Sequence, residues 1–215
     1  MEVINYIYDQ RDYILKLAAH HALLVFIAVG LATICGVSIG LLISRHERAA
    51  RLILYVASII VTIPSIALFG LMIPLLSIVN QGIGNVPAIV AVFLYSQLPI
   101  IRNTYTAVVE VDPNLREAAN GIGLDLWQRL YLLELPLAAP VILAGIRTAV
   151  VMNIGVMAIA AYIGAGGLGE LISRGISQSD HRQLVAGAIA VSVLAIFVDI
   201  LLSGLQRRLT LKVQK

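Results

Sequence analysis

From Leu52 to Ile101 the chain contains no Asp, Glu, Lys or Arg. An uncharged stretch of that length leaves a soluble fold with more apolar surface than it can bury. A bilayer absorbs it, because a membrane helix needs about 20 mainly apolar residues. The stretch is too long for one crossing. Its middle, SIVNQGIGNVP at 77–87, has the Gly, Asn and Pro content of a turn. It therefore reads as two spans, at about 52–77 and 86–106. Ala18–Ser44, also free of charge, makes an earlier span, and the apolar runs at 138–163 and 184–205 make two later ones. Composition agrees, since 13% of residues are charged against roughly 25% in soluble domains. The expectation is an all-α polytopic membrane protein with five transmembrane helices, forming a single transmembrane domain over residues 1–215.

Lys and Arg set the orientation of such a chain. Arg45, Arg48 and Arg51 fall in the first connection, Arg102, Arg116 and Arg129 in the third, and Arg207, Arg208, Lys212 and Lys215 in the tail. The other side holds Arg11, Lys16, Arg174 and Arg182, and its 77–87 turn has none. The richer side is assigned to the cytoplasm, with the N-terminus outside and the C-terminus inside. Basic residues at span ends are topology signals, so no nucleic-acid partner is expected, only membrane lipid. Residues 1–17 hold Glu2, Asp9, Arg11, Asp12 and Lys16, a composition that does not fit a cleavable signal peptide. The single Cys35 excludes an intrachain disulfide and a cysteine zinc site. Ala32, Gly36 and Gly40 recur at intervals of four and read as a packing seam. No internal repeat supports an inverted-repeat secondary transporter.

The third connection, 110–136, is the informative one. Asp112-Pro113 is a helix start. Leu115, Ala118, Ala119 and Ile122 share an apolar face, and Gly121 and Gly123 then permit a sharp turn. Leu126, Leu130 and Leu133 resume helical spacing, and Pro136 and Pro140 mark the start of the next span. Two short amphipathic helices meeting at a glycine corner are expected. Read from the residues alone, the corner either docks into a partner or is an interfacial loop lying on the bilayer.

The segment resembles the EAA loop of ABC importer permeases: Glu117, Ala118, Ala119, then Gly123, then Leu133 where the family has Ile, then Leu135 and Pro136. Over about residues 18–205 the chain further resembles permeases for glycine betaine, carnitine and choline, in IIVTIPSIALFGLMIPLL (59–76), LPIIRNTYTAVVEVDP (98–113), LPLAAPVILAGIRTAVV (135–151) and AAYIGAGGLGELISRGI (160–176). Methionine permeases share the Gly-rich run and the five-span core. The resemblance implies a cytoplasmic coupling loop between spans three and four that inserts into a cleft of a partner ABC ATPase dimer. Glu117, Ala118, Ala119, Gly123, Leu135 and Pro136 would form its contact and turn. ATP and Mg would be bound by the ATPase and no cofactor by this chain, which is a transport subunit and not an enzyme. A second permease copy or similar chain would complete the pore in the bacterial plasma membrane. With the chain ending at Lys215, a separate extracytoplasmic binding protein is expected to deliver the solute.

Other residues carry competing readings. Gly164-Ala165-Gly166-Gly167-Leu168-Gly169 matches GxGxxG but follows a span, without the strand that a nucleotide fingerprint requires. It reads as a flexible turn near an external gate. His20 and His21 lack further ligands for a metal. Arg147 and Asp199 lie in apolar runs, either as functional intramembrane charges or as groups reaching the interface. Thr62, Pro64 and Ser65 either line the pore or kink the second span, and the kink is favoured. Tyr95, Tyr105, Phe69, Phe93 and Tyr162 are too few and scattered for an aromatic cage, which is expected on the binding protein. A methionine or other amino-acid ABC permease, a secondary transporter and a structural scaffold are the remaining alternatives.

Overall fold

The computed structural model describes residues 2–213. These form ten α-helices and, among the described residues, no strand: α1 (Glu2–Asp9), α2 (Arg11–Ile43), α3 (Glu47–Thr62), α4 (Ser65–Ser77), α5 (Asn85–Val109), α6 (Pro113–Gly121), α7 (Leu126–Arg129), α8 (Leu135–Ile159), α9 (Gly169–Ser177) and α10 (His181–Val213). Lys215 and the side chain of Lys212, both used above for orientation, lie outside the described residues.

Four helical stretches are long and apolar enough to cross a bilayer: Arg11–Ile43, Asn85–Val109, Leu126–Ile163 and His181–Leu211. The bent pair α3 and α4 makes the fifth, its axes turning by 100°. The second span is thus broken, where the sequence suggested one helix over 52–77 with a kink. Pro64 is the cause. Its ring disfavours helical backbone in the preceding residue, and Ile63 is extended, at φ −69° and ψ 126°. A break inside a membrane frees polar backbone groups that no water can satisfy. The Tyr95 hydroxyl donates to the Ile63 carbonyl at 2.5 Å and fills that need.

α5 lies at the centre, packed against α2, α3, α4 and α8. Lipid tails are as apolar as the side chains, so close backbone approach replaces hydrophobic burial as the adhesive. The seam Ala32, Gly36 and Gly40 is buried against α5. A Cβ on Gly36 would sit 2.8 Å from Ile100 Cγ2, and one on Gly40 2.6 Å from Thr104 Cβ. On the other side of α5, a Cβ on Gly145 of α8 would meet Asn103 Cβ at 2.6 Å. Asn153 Nδ2 adds a buried tie from α8 to Ser96 Oγ at 2.9 Å. Phe69 and Tyr95 belong to this core. The opposite surfaces expose Phe26, Ile34, Leu42, Phe197 and Ile200, as lipid contact requires.

The connections gather at two ends. At one, Arg45 Nη2 reaches the Leu126 carbonyl at 3.5 Å, joining the α2–α3 turn to α7. At the other, Gly84 N donates to Ile163 O at 2.8 Å and the Tyr13 hydroxyl to Glu170 Oε2 at 3.0 Å. Asp180 there precedes α10 and accepts from the Arg182 backbone N–H at 3.0 Å. The Arg182 guanidinium beside it holds its carboxyl below the usual carboxylate range.

Packing at the seam is directly testable. Gly40→Ala forces α2 off Thr104 and is expected to destabilise by about 1–3 kcal/mol, the usual cost of overpacking. Gly30→Ala, on the same helix with nothing within 4 Å of the new methyl, should be neutral or mildly stabilising. Thermal unfolding of the two variants in detergent measures the difference, and equal midpoints would contradict the seam.

Candidate functional site

The corner between α6 and α7 is built from short-range hydrogen bonds. Asp112 Oδ1 accepts from Asn114 N at 2.8 Å, with Pro113 in the first turn of α6. At the other end Gly123 N donates to Asn120 O at 3.0 Å and Leu124 N to Ala119 O at 3.1 Å. This pair of bonds is a Schellman stop and requires a left-handed residue. Gly123 supplies it at φ +83°, while Gly121 stays inside α6. A Cβ on Gly123 would touch nothing within 4 Å, so conformation and not space demands the glycine. Asp125 then opens α7 with a capping box, accepting from Trp127 N and Gln128 N at 2.8 Å while its own N–H donates to Gln128 Oε1 at 2.9 Å.

α7 is not a separate helix. A π turn at Leu130–Glu134 fuses it to α8, with Leu135 N donating to Leu130 O. The sequence suggested a fresh span starting near Ala138. Pro136 has no N–H and its ring crowds the carbonyl four residues back. The widened turn accommodates this without ending the helix.

Glu117 and Ala118 face solvent, and Ala119 is buried beneath them. Ile122, Leu126, Trp127, Tyr131 and Leu132 are all more than half exposed, with Trp127 stacked on Tyr131 at 6.3 Å between centroids. Leu135 is half-buried beside Ala107 and Val108, and Pro136 is exposed. Of the candidate docking residues, Glu117, Ala118, Gly123 and Pro136 are thus exposed, while Ala119 and Leu135 face inward.

Sequence reasoning missed what holds this surface. Glu134, 4% exposed, accepts a hydrogen bond from Arg129 Nε at 3.1 Å and forms an ion pair with Arg116, whose Nε lies 3.3 Å away. Arg129 Nη1 also donates to Asn120 Oδ1 at 2.9 Å, and Arg116 Nη2 to the Val108 carbonyl. One carboxylate thus ties α6, α7, α5 and the π turn together. The only signal was an acidic residue within LYLLELPLAAP, and both arginines had been read solely as topology markers.

The remaining candidates separate into two places. Arg147 Nε and Nη2 donate to Asp199 Oδ1 and Oδ2 at 2.6 and 2.8 Å, joining α8 to α10. At the far end, Gly164, Gly166 and Gly167 take φ of +80°, +73° and +72°. Their turn is packed, not loose: Ala165 and Leu168 are buried, and a Cβ on Gly167 would lie 3.0 Å from His21 Nδ1. His20 donates to the Ala165 carbonyl at 3.1 Å and His21 to the Ile154 carbonyl at 3.0 Å. His20 thus ties down the turn and His21 ties α2 to α8 beside it, and among the described residues no cluster of three His, Cys, Asp or Glu could hold a metal. Thr62 is exposed at the α3–α4 break and donates to its own helix at Ile59 O, 2.6 Å away, with Pro64 exposed next to it.

The family described as "Binding-protein-dependent transport system inner membrane component" matches residues 17–211. The chain belongs to this family. The osmoprotectant import permease protein OsmW of Salmonella typhimurium is 58% identical over 212 residues, covering 99% of both chains. The glycine betaine/carnitine/choline transport system permease protein OpuCB of Bacillus subtilis is 38% identical, covering 98% of this chain and 95% of the relative. A methionine ABC transporter, MetNI, solved in an inward-facing conformation, has the same fold at a TM-score of 0.80 and 22% identity, covering 91% of this chain and 95% of its own. The protein is therefore an inner-membrane permease subunit of an ABC transporter, a transport component rather than an enzyme. Membership of a binding-protein-dependent family implies ATPase and substrate-binding partners.

Removing the charge of Glu134 leaves two arginines without their shared partner. Breaking a buried ion pair on one side costs about 3–5 kcal/mol. Glu134→Gln in the permease should raise amide hydrogen exchange across 113–129 by at least tenfold, leaving α2 and α5 unchanged. Unaltered exchange at the corner would remove Glu134 from this role.

Proposed function

We propose that this permease is the membrane-spanning subunit of an ATP-driven importer for quaternary-amine osmoprotectants of the glycine betaine, carnitine or choline type. The observation that carries this reading is the alignment, along nearly the whole chain, of relatives bearing those names. The methionine transporter supports the fold, and at 22% identity it does not speak for the solute.

The exposed corner is the surface suited to the ATPase. Glu117 would pair with a basic residue there, Ala118 and Ala119 would permit close approach, Gly123 would shape the turn, and Leu135 and Pro136 would anchor it. Two copies, or this chain with a similar one, would enclose the solute path, each offering a corner to one half of an ATPase dimer that binds ATP and Mg. A separate binding protein would deliver solute at the end carrying Gly164, Gly166 and Gly167, beside an outer gate. The α3–α4 break at Thr62 and Pro64 would border the path. In this reading the N-terminus and the loops near Asn80 and Ser177 are extracytoplasmic, and Arg48, Leu124 and the C-terminus cytoplasmic.

Orientation is checked with single cysteines in a Cys35→Ser background. A cysteine replacing Leu124 should resist an impermeant thiol reagent in sealed right-side-out vesicles, and one replacing Asn80 should react. Labelling at 124 without permeabilisation would reverse the assignment.

Coupling is checked in proteoliposomes holding the full transporter and liganded binding protein. Glu117→Ala should weaken docking of the ATPase by about 2–5 kcal/mol, as for a desolvated interface charge. Gly123→Val, strained at positive φ, should misdirect the corner while the spans insert normally. Both should lose glycine betaine uptake. Normal stimulated hydrolysis and uptake in Glu117→Ala would refute its coupling role, and uptake of methionine instead would refute the solute class.

A further inference from the structure

Two of the ion-paired groups in this molecule are of opposite design. Glu134 and its arginines are shut away, the carboxylate being 4% exposed. The Arg147 and Asp199 side chains are paired just as closely yet remain 33% and 36% exposed. Arg147 lies midway along α8, and Asp199 lies within the apolar part of α10. A charge at that depth is costly against lipid and normally faces the bundle interior or a water-filled path. The pair opens on a cavity of about 430 Å³ lined also by Thr148, Val151, Met152 and Gln206.

The ionised side chains within the apolar runs of α8 and α10 lie on this side. The opposite side of α8 and α10 borders a second cavity, of about 440 Å³, whose lining from these two helices is Ile146, Val150, Ile154, Leu194, Val198 and Leu202. The two helices therefore border one cavity lined from them by hydrocarbon and one that presents an ion pair.

From this geometry we infer that Arg147 and Asp199 form a transit site for a zwitterion that carries a carboxylate and a quaternary ammonium. The inference rests on the osmoprotectant reading and names where such a solute is held inside the membrane. Asp199 engages Nε and Nη2 of Arg147, so Nη1 stands outside the pair and can donate to a solute carboxylate. A quaternary ammonium has no N–H to donate. It is satisfied by the field of Asp199 and by contact of its methyl groups with Val151 and Met152. A solute lying head to tail across the pair adds no net charge to the site. No aromatic ring lines the cavity, so cation–π attraction is missing and the grip is weak. Weak binding suits a transit point, which must release what it receives.

The test uses the complete transporter in proteoliposomes with radiolabelled glycine betaine. Arg147→Gln strands an aspartate in the membrane and could fail to assemble. The double variant Arg147→Met with Asp199→Leu avoids this, since an apolar pair commonly replaces a buried ion pair without loss of fold. In the double variant, uptake should fall at least tenfold more than ATP hydrolysis does. Saturation-transfer NMR on the trimethyl protons of glycine betaine, with the complex lacking its binding protein, should give a signal for wild type and none for the double variant. An unchanged ratio of solute moved to ATP hydrolysed overturns the site. So does a parallel loss of both with identical NMR signals, because the pair then only fastens α8 to α10. A wild-type transporter that neither hydrolyses ATP nor transports with glycine betaine-loaded binding protein refutes the osmoprotectant reading and takes this site with it.

Discussion

The fold depends on how near α2 and α8 can come to α5. At Gly36, Gly40 and Gly145 there is no room for even one methyl group between the helices. In water such contacts would be incidental, because burial of large apolar side chains would hold the bundle. In a bilayer the surrounding lipid competes for every leucine on equal terms. Van der Waals contact between backbones, and polar ties such as Asn153 to Ser96, then decide which helices adhere. The same dryness governs the break in the second span. Proline could open the helix at Ile63 because Tyr95 was positioned on α5 to take the released carbonyl.

Charge gaps and proline positions made the spans legible, and the corner was legible because its signals are local. Asp112, Pro113 and Gly123 act on neighbours within a few residues, so their spacing carries their geometry; the capping box at Asp125 was not read. The extent of the bend at Pro64 was not legible, since a proline announces a lost hydrogen bond and not an angle. The fusion of α7 with α8 was hidden because Pro136 and Pro140 suggest a helix start as readily as a widened turn. Glu134 was missed for a different reason. Arg116 lies across a chain reversal, and Arg129 stands five residues back, a spacing that the α-helical pattern does not pair. The packing of the Gly-rich turn was not legible because His20, which bonds to it, stands 145 residues away from its acceptor.

The corner and the intramembrane pair also show how exposure separates fastening from contact. Glu134 is 4% exposed and flanked by two arginines that have further acceptors of their own, so burial keeps it from an outside group. Arg147 and Asp199 satisfy each other along one edge only. Exposed apolar side chains divide in the same manner. Those on α2 and α10 are spread along the helices, as lipid demands, whereas Ile122, Leu126, Trp127, Tyr131 and Leu132 crowd onto a projecting tip.

The fusion of α7 with α8 has a mechanical consequence. The helix from Leu126 to Ile163 counts 38 residues, and at 1.5 Å per residue such a rod is about 57 Å long. Its one end carries the corner and its other abuts the Gly-rich turn. A rigid rod pivoting through roughly 10° displaces one end relative to the other by about 10 Å, by the same rise per residue. No chain of intermediate side-chain rearrangements is then needed to link the two faces of the membrane. The compliance of the rod is concentrated at the π turn, where the backbone bonding is widened. Glu134 occupies the last position of that turn, so its pair with Arg129 of α7 bridges the turn along the helix.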